Sequence, residues 1–391
     1  MRDFICSRIK KIKPSGIRRL FDIANEIPDV ISLGVGEPDF DTPWHVREEG
    51  IYALQKGRTF YTSNSGLPEL REEICRNIKR KYGLDYDSKN EVVVTIGGSE
   101  AIDIALRALI DPGDEIVYPE PCFVSYQPCI MLSEGVPVPI ELSAGTEFRL
   151  TPEKLERAIT PRTKALLISY PSNPTGAIME RADLEKIAEV VLRHDIMVIT
   201  DEIYSELSYR DSHVSIANMP GMRERTILIN GFSKAYAMTG WRLGYALAPA
   251  HIMEYMLKIH QFAIMSAPTI SQYAAVAALR DGDRDIEMMK ESYDQRRRFL
   301  MEAFRDMGLP CFEPYGAFYV FPDISEFGMT SEEFCTALLK AENVAVVPGS
   351  AFGECGDKHV RISYAYSVDT LKEAMKRLAR FIGELRSKSS S

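Results

Sequence analysis

Three short stretches carry residue types that could do chemistry together. In Asn230-Gly231-Phe232-Ser233-Lys234 a lysine follows an apolar run, and Arg242 stands eight residues further on. A lysine in a cleft can lose its proton by desolvation and attack a carbonyl, although alone it is most often a surface residue. In Thr200-Asp201-Glu202-Ile203-Tyr204 an aspartate closes another apolar run. If buried it needs a cationic partner, and capping of a following helix is an equal local reading. In Gly97-Gly98-Ser99-Glu100 two glycines precede a helical pattern. Glycines let the backbone approach an anion, and the free N–H groups of a helix start favour its charge. Such turns are also common for steric reasons. Neither G-x-G-x-x-G nor G-x-x-x-x-G-K-[ST] occurs, so the usual dinucleotide and nucleoside-triphosphate readings drop out.

The elements that must position these residues follow from the hydrophobic pattern. From about Glu91 to Ala248, short apolar runs alternate with helical patterns, the signature of a parallel sheet covered by helices. The fold class is α/β, with a mostly parallel central sheet covered by helices. Expected strands are Val92–Ile96, Glu115–Tyr118, Ala165–Ser169, Met197–Thr200, Thr226–Ile229 and Leu243–Leu247. Sheets of this kind present ligand-binding groups at the carboxyl ends of their strands, where all three stretches fall. From Arg284 to Met307 a charged helical stretch leads to the short strands Gly316–Phe321 and Val344–Val347 of a smaller α+β domain. The division expected is residues 46–280 for the large domain, and 1–45 with 281–391 for the arm and small domain. A basic helical pattern over Arg8–Ala24 reads as a solvated helix folded back on the body rather than a membrane-surface helix. A lysine, a phosphate cradle and a carboxylate on separate strand ends define a task. They suit a carbonyl cofactor with a phosphate and a basic ring nitrogen, and pyridoxal phosphate is that cofactor.

Composition agrees with small-molecule chemistry. The 391 residues are 45% hydrophobic, enough for a large core in two domains. Lys and Arg total 47 against 56 Asp and Glu, a net charge of −9, which argues against nucleic-acid or anionic-membrane binding. The seven cysteines are scattered without C-x-x-C spacing, so no disulfide framework or metal site is expected and a reducing cytoplasm fits. No run approaches the length of a membrane span.

At these residues the sequence resembles the fold-type I pyridoxal-phosphate enzymes, specifically the class I and II aminotransferases near the bacterial and archaeal aspartate and aromatic aminotransferases. The strongest motif runs from Gly231 to Gly244, Gly-Phe-Ser-Lys-Ala-Tyr-Ala-Met-Thr-Gly-Trp-Arg-Leu-Gly. Gly34-Val35-Gly36-Glu37-Pro38-Asp39-Phe40, Asn173-Pro174-Thr175-Gly176, Asp201-Glu202-Ile203-Tyr204 and Val360-Arg361-Ile362-Ser363-Tyr364 match in the family's order. The resemblance implies that Lys234 forms the internal aldimine and that Asp201 keeps the pyridine nitrogen protonated. It implies that Asn173 and Tyr204 bond the ring's 3-oxygen and that Phe123 stacks on the ring. Gly98, Ser99, Ser233 and Arg242 would hold the phosphate, joined by Tyr61 from the neighbouring subunit of a homodimer with shared sites. Arg361 would take the substrate α-carboxylate bidentately, with Gly36 supplying a backbone N–H. Two departures stand out. Many relatives carry a hydroxyl where this chain has Gly231, and in Lys13-Pro14-Ser15-Gly16-Ile17 a threonine frequent among acidic-substrate relatives is replaced by Ile17, a substrate-side residue that speaks against a dicarboxylic first substrate.

The expected reaction is a ping-pong transamination, in which Lys234 holds the cofactor as a Schiff base and moves the Cα proton. An amino acid leaves as a 2-oxo acid, and a second oxo acid runs the steps backwards from pyridoxamine phosphate. The nearest rival is a C–S β-lyase of the same fold, which shares the early steps. A serine acyl-enzyme is suggested only by Ser7-Arg8-Ile9-Lys10, which lacks the companion S-D-N and K-T-G motifs. A binding module would leave the whole lysine, aspartate and arginine set idle.

Overall fold

The computed structural model describes residues 3–12 and 28–389. Ile17, the segment Lys13–Ile17 and most of the expected Arg8–Ala24 helix lie outside them; the described part holds a short helix, Ser7–Lys11. After the two-residue strand β1 (Ile31–Ser32), the apolar runs form β2 (Val92–Thr95), β3 (Glu115–Glu120), β4 (Val136–Glu141), β5 (Thr163–Ser169), β6 (Met197–Asp201), β7 (Thr226–Gly231) and β8 (Gly244–Leu247). These last seven make one sheet, in the order β2-β8-β7-β6-β5-β3-β4.

Its faces explain the near-continuous apolar runs, because strands buried on both sides need no polar alternation. Ile199, Ile227 and Ile229 pack on one face against Ala101, Ile104 and Ala105 of the helix Gly97–Leu109. Their neighbours Val198 and Leu228 face cores on the other side. Burial of an isoleucine or leucine here contributes about 2 kcal/mol each.

The sheet is mostly parallel, as expected, with β8 running antiparallel to both β2 and β7. A parallel return needs a crossover, usually a helix, whereas the chain between β7 and β8 is spent on turns around Lys234. The edge strand β4 was not expected at all. Its sequence, Val-Pro-Val-Pro-Ile-Glu, is disguised by two prolines, which an edge strand paired only with β3 tolerates.

Beyond the helix Asp283–Met307 lie β9 (Tyr319–Val320), β10 (Val344–Ala345), β11 (Val347–Pro348) and β12 (Val360–Ser363). The expected strand Val344–Val347 is split, because β10 pairs with β1 while β11 pairs with β12; the expected Gly316–Phe321 shortens to β9. Phe304, Phe318, Phe334, Leu338 and Phe381 centre a core here, and Leu33, Tyr204 and Ala237 reach into it. That contact fixes the turn after β6 against this second sheet. No described helix is long and apolar enough to cross a membrane, and no described cluster of His, Cys, Asp or Glu could hold a metal ion.

Candidate active site

The strands β2, β3, β5, β6 and β7 all run in one direction, so their carboxyl ends share one edge of the sheet. A cavity of about 480 Å³ opens there. Gly98 and Ser99 begin the helix after β2, Phe123 follows β3, Asn173 follows β5, Asp201 ends β6 and Tyr204 lies in the next turn. Ser233 and Lys234 follow β7, Arg242 precedes β8, Arg361 comes from β12 and Gly36 from the stretch after β1. Every one of these lines the cavity. Tyr61 does not, and its side chain is 81% exposed. Ser7 and Lys10 are far from any such role: they sit on an exposed helix where Lys10 pairs with Asp3.

Lys234 Nζ donates to Gly36 O at 2.6 Å. Burial, helped by the nearby Arg361 and Arg242 charges, pulls its ammonium down to about 8, while Glu37 and Asp201 pull the other way. Asp201 is buried; its Oδ2 accepts from Tyr126 Oη at 2.8 Å and its Oδ1 from Ile203 N–H at 3.1 Å. Burial pushes this carboxyl above the usual range, against the stabilising effect of those two donors. Arg361 is 4% exposed and donates from Nη1 to Asn173 Oδ1 at 2.9 Å and from Nη2 to Gly34 O. Its guanidinium lies 4.6 Å from the Tyr319 ring centroid and 4.8 Å from that of Phe352, and burial lowers its affinity for its proton.

Neither Asp201 nor Arg361 forms a salt bridge with a described residue. Leaving either charge buried and unpaired is costly, so the cavity calls for a ligand with a cation at one end and a carboxylate at the other. Around the helix start, Arg242 adopts a left-handed backbone (φ 52°) and donates to Thr239 O at 3.1 Å, bringing its guanidinium against Gly97. Gly244 allows this packing: a Cβ there would lie 2.5 Å from Gly97 C and 2.6 Å from Gly98 N. The missing hydroxyl at Gly231 has a similar cause, because a Cβ would meet Gly244 Cα at 3.0 Å. Glycines, two serines and an arginine at a helix N-terminus suit a phosphate, and the uncompensated Asp201 suits a protonated ring nitrogen. The residues therefore fit pyridoxal phosphate.

Sequence reasoning missed two contributors. Tyr126, three residues after Phe123, could have been found from its spacing, which puts both on one face of a helical turn; their rings meet edge-on at 5.7 Å. Tyr319 gave no local signal, yet its hydroxyl lies 2.7 Å from that of Tyr204.

The comparisons with known proteins agree with this geometry. A family model described as aminotransferase class I and II matches residues 28–378. The chain is 50% identical over 382 residues to a putative aminotransferase, YugH, of Bacillus subtilis, covering 98% of this chain and 99% of that protein. It is 46% identical over 380 residues to an aspartate aminotransferase of Pyrococcus abyssi, covering 96% and 98%. An aromatic aminotransferase structure from Pyrococcus horikoshii superposes with a TM-score of 0.90 at 46% identity, covering 94% of this chain and 99% of that one. The aspartate aminotransferase of Thermus thermophilus with maleate gives 0.92 at 39% identity, covering 97% and 100%. Lysine, carboxylate and arginine around one cavity, on a chain matched end to end by such relatives, place this protein among the class I and II aminotransferases, the pyridoxal-phosphate enzymes of fold type I.

Proposed function

We propose that Lys234 carries pyridoxal phosphate in this aminotransferase and moves the proton from the substrate Cα, with Arg361 holding the α-carboxylate. The observation that carries this reading is the set of three groups lining one cavity: a lysine pulled down to about 8, and a buried aspartate and a buried arginine that each lack a salt bridge among the described residues. When bound, the cofactor supplies an electron sink for the charge left at Cα. Asp201, oriented by Tyr126 and Ile203 N–H, keeps the ring nitrogen protonated. Tyr204 and Asn173 bond the ring oxygen, and Phe123 covers one ring face. Gly98, Ser99, Ser233 and Arg242 hold the phosphate. Gly36 O, which accepts from Lys234 Nζ, orients the amine while it is free of the cofactor, and Gly36 N–H serves the substrate carboxylate.

Donor and acceptor are an α-amino acid and a 2-oxo acid, and Ile17 tunes the choice of donor side chain. The protein works as a homodimer in which Tyr61 of the partner subunit completes each phosphate site. The exposure of Tyr61 and its neighbour Phe60, each 81%, supports a partner covering them. Residues 46–280 form the cofactor-binding domain, and 1–45 with 281–391 the other, in line with the separate core around Phe318 and Phe334. Seven free cysteines support a cytoplasmic setting.

The test is a donor-only reaction. Loaded protein given an amino acid without an oxo acid should release one 2-oxo acid per site, retain the nitrogen on the cofactor and form no ammonia. Continuing turnover with stoichiometric ammonia would identify a lyase instead.

A further inference from the structure

Tyr319 has no part in the roles above, yet it touches three residues that do. Its hydroxyl lies 2.7 Å from Tyr204 Oη, and its ring lies under the Arg361 guanidinium at 4.6 Å. A Cβ on residue 36 would come within 2.2 Å of its oxygen, so the hydroxyl occupies space that only a glycine leaves open. The backbone fixes the placement. Tyr319 on β9 lies opposite Ser363 on β12, and Arg361 stands two residues before Ser363, so both side chains share one face of the sheet.

Two buried hydroxyls at this distance share one hydrogen, and one of them donates. Tyr204 has a single proton. If Tyr204 spends it on Tyr319, only lone pairs remain for an anionic ring oxygen in the cavity. If Tyr319 donates, the Tyr204 proton is free for that oxygen. Tyr319 has no other hydrogen-bond partner among the described residues to take its proton.

We propose that Tyr319 is a positioning residue acting on both the cofactor and the substrate carboxylate. Its hydroxyl sets Tyr204 as a donor toward the cofactor's ring oxygen, and its ring holds Arg361 for the carboxylate. The proposal rests on the roles of Tyr204 and Arg361 given above. Weakened donation to the ring oxygen leaves more negative charge there, which holds the proton on the cofactor-linked Lys234 nitrogen and raises the pH at which it leaves. The charged groups facing that nitrogen, Glu37, Asp201, Arg242 and Arg361, stay the same in the variants compared.

The experiment titrates the visible absorbance of pyridoxal-phosphate-loaded protein against pH for wild type, Tyr319→Phe, Tyr204→Phe and the double variant. Tyr319→Phe should raise the midpoint by about 0.5 to 1 pH unit, the range of one neutral hydrogen bond. Tyr204→Phe should raise it at least as far, and the double variant no further. An unmoved or lowered midpoint in Tyr319→Phe, or additive shifts, overturns the proposal while leaving the role of Tyr204 intact. If Tyr204→Phe itself moves nothing, that role falls and this proposal with it. For the ring, the amino-acid KM should rise about tenfold more in Tyr319→Leu than in Tyr319→Phe, as loss of a desolvated cation–π contact predicts. Equal KM values would remove the Arg361 half.

Discussion

An amine buried beside two guanidiniums is a stronger nucleophile at neutral pH than one in water. With the Lys234 value at about 8 rather than 10.5, its neutral fraction at pH 7 is roughly 300-fold larger. Uptake of pyridoxal phosphate by the ligand-free protein should therefore quicken with pH and level off just above 8; levelling only near 10.5 would contradict the burial argument. The lower value belongs to the folded state, so between about 8 and 10.5 the unfolded chain binds more protons. Relative to Lys234→Met, the ligand-free protein should gain stability as pH rises through that window. Asp201 gives a graded test. Tyr126→Phe removes one of its two donors and should slow the half-reaction about tenfold, the worth of one hydrogen bond, whereas Asp201→Ala should slow it by more than about a hundredfold. An unchanged rate for Tyr126→Phe in stopped-flow measurements, or a further loss of about tenfold when it is added to Asp201→Ala, would mean that Tyr126 does not act through Asp201. Lys234, Asp201 and Arg361 were legible because each sits in a contiguous motif. Tyr319 was not, because its partner Tyr204 lies 115 residues away, a proximity that only the fold creates; Tyr126 left a signal in its spacing from Phe123, but its contact with Asp201, 75 residues on, did not.

Among the elements, the parallel strands of the sheet were legible as buried apolar runs, and their carboxyl ends put the functional residues in one place. What the pattern could not carry was direction and edge position. An apolar run reads alike in either sense, so the reversal of β8 was hidden; the prolines of β4 concealed a strand that only an edge permits. The reversal has a functional consequence, since it lays Gly244 directly against the Gly97–Gly98 turn. Gly244→Ala must push that backbone by some tenths of an ångström or more, and overpacking of this kind costs about 1–3 kcal/mol. Equilibrium dialysis should show pyridoxal phosphate bound at least about tenfold more weakly, with the circular dichroism of the fold retained. Unchanged affinity would show that the cradle does not depend on this packing.

For the whole molecule, the acidic charge and the mixed α/β pattern were readable from composition and periodicity, but an assembly is not written in one chain's hydrophobic pattern. The resemblance supplied the shared site, and the exposure of Tyr61 supports it. Lys234→Ala chains mixed with chains carrying a disabling Tyr61 change should form dimers with one site bearing both lesions and one site intact, restoring up to half of wild-type activity per mixed dimer. No recovery, despite proven subunit exchange and a truly impaired Tyr61 variant, would place Tyr61 within its own chain's site. The central claim, that the cofactor is carried by Lys234, is tested most directly by borohydride reduction of the loaded protein followed by peptide mass mapping. The account predicts one phosphopyridoxyl group per chain, on the peptide containing Lys234 and absent from Lys234→Ala. A label on another lysine, or a Lys234→Ala variant with normal turnover, would contradict it.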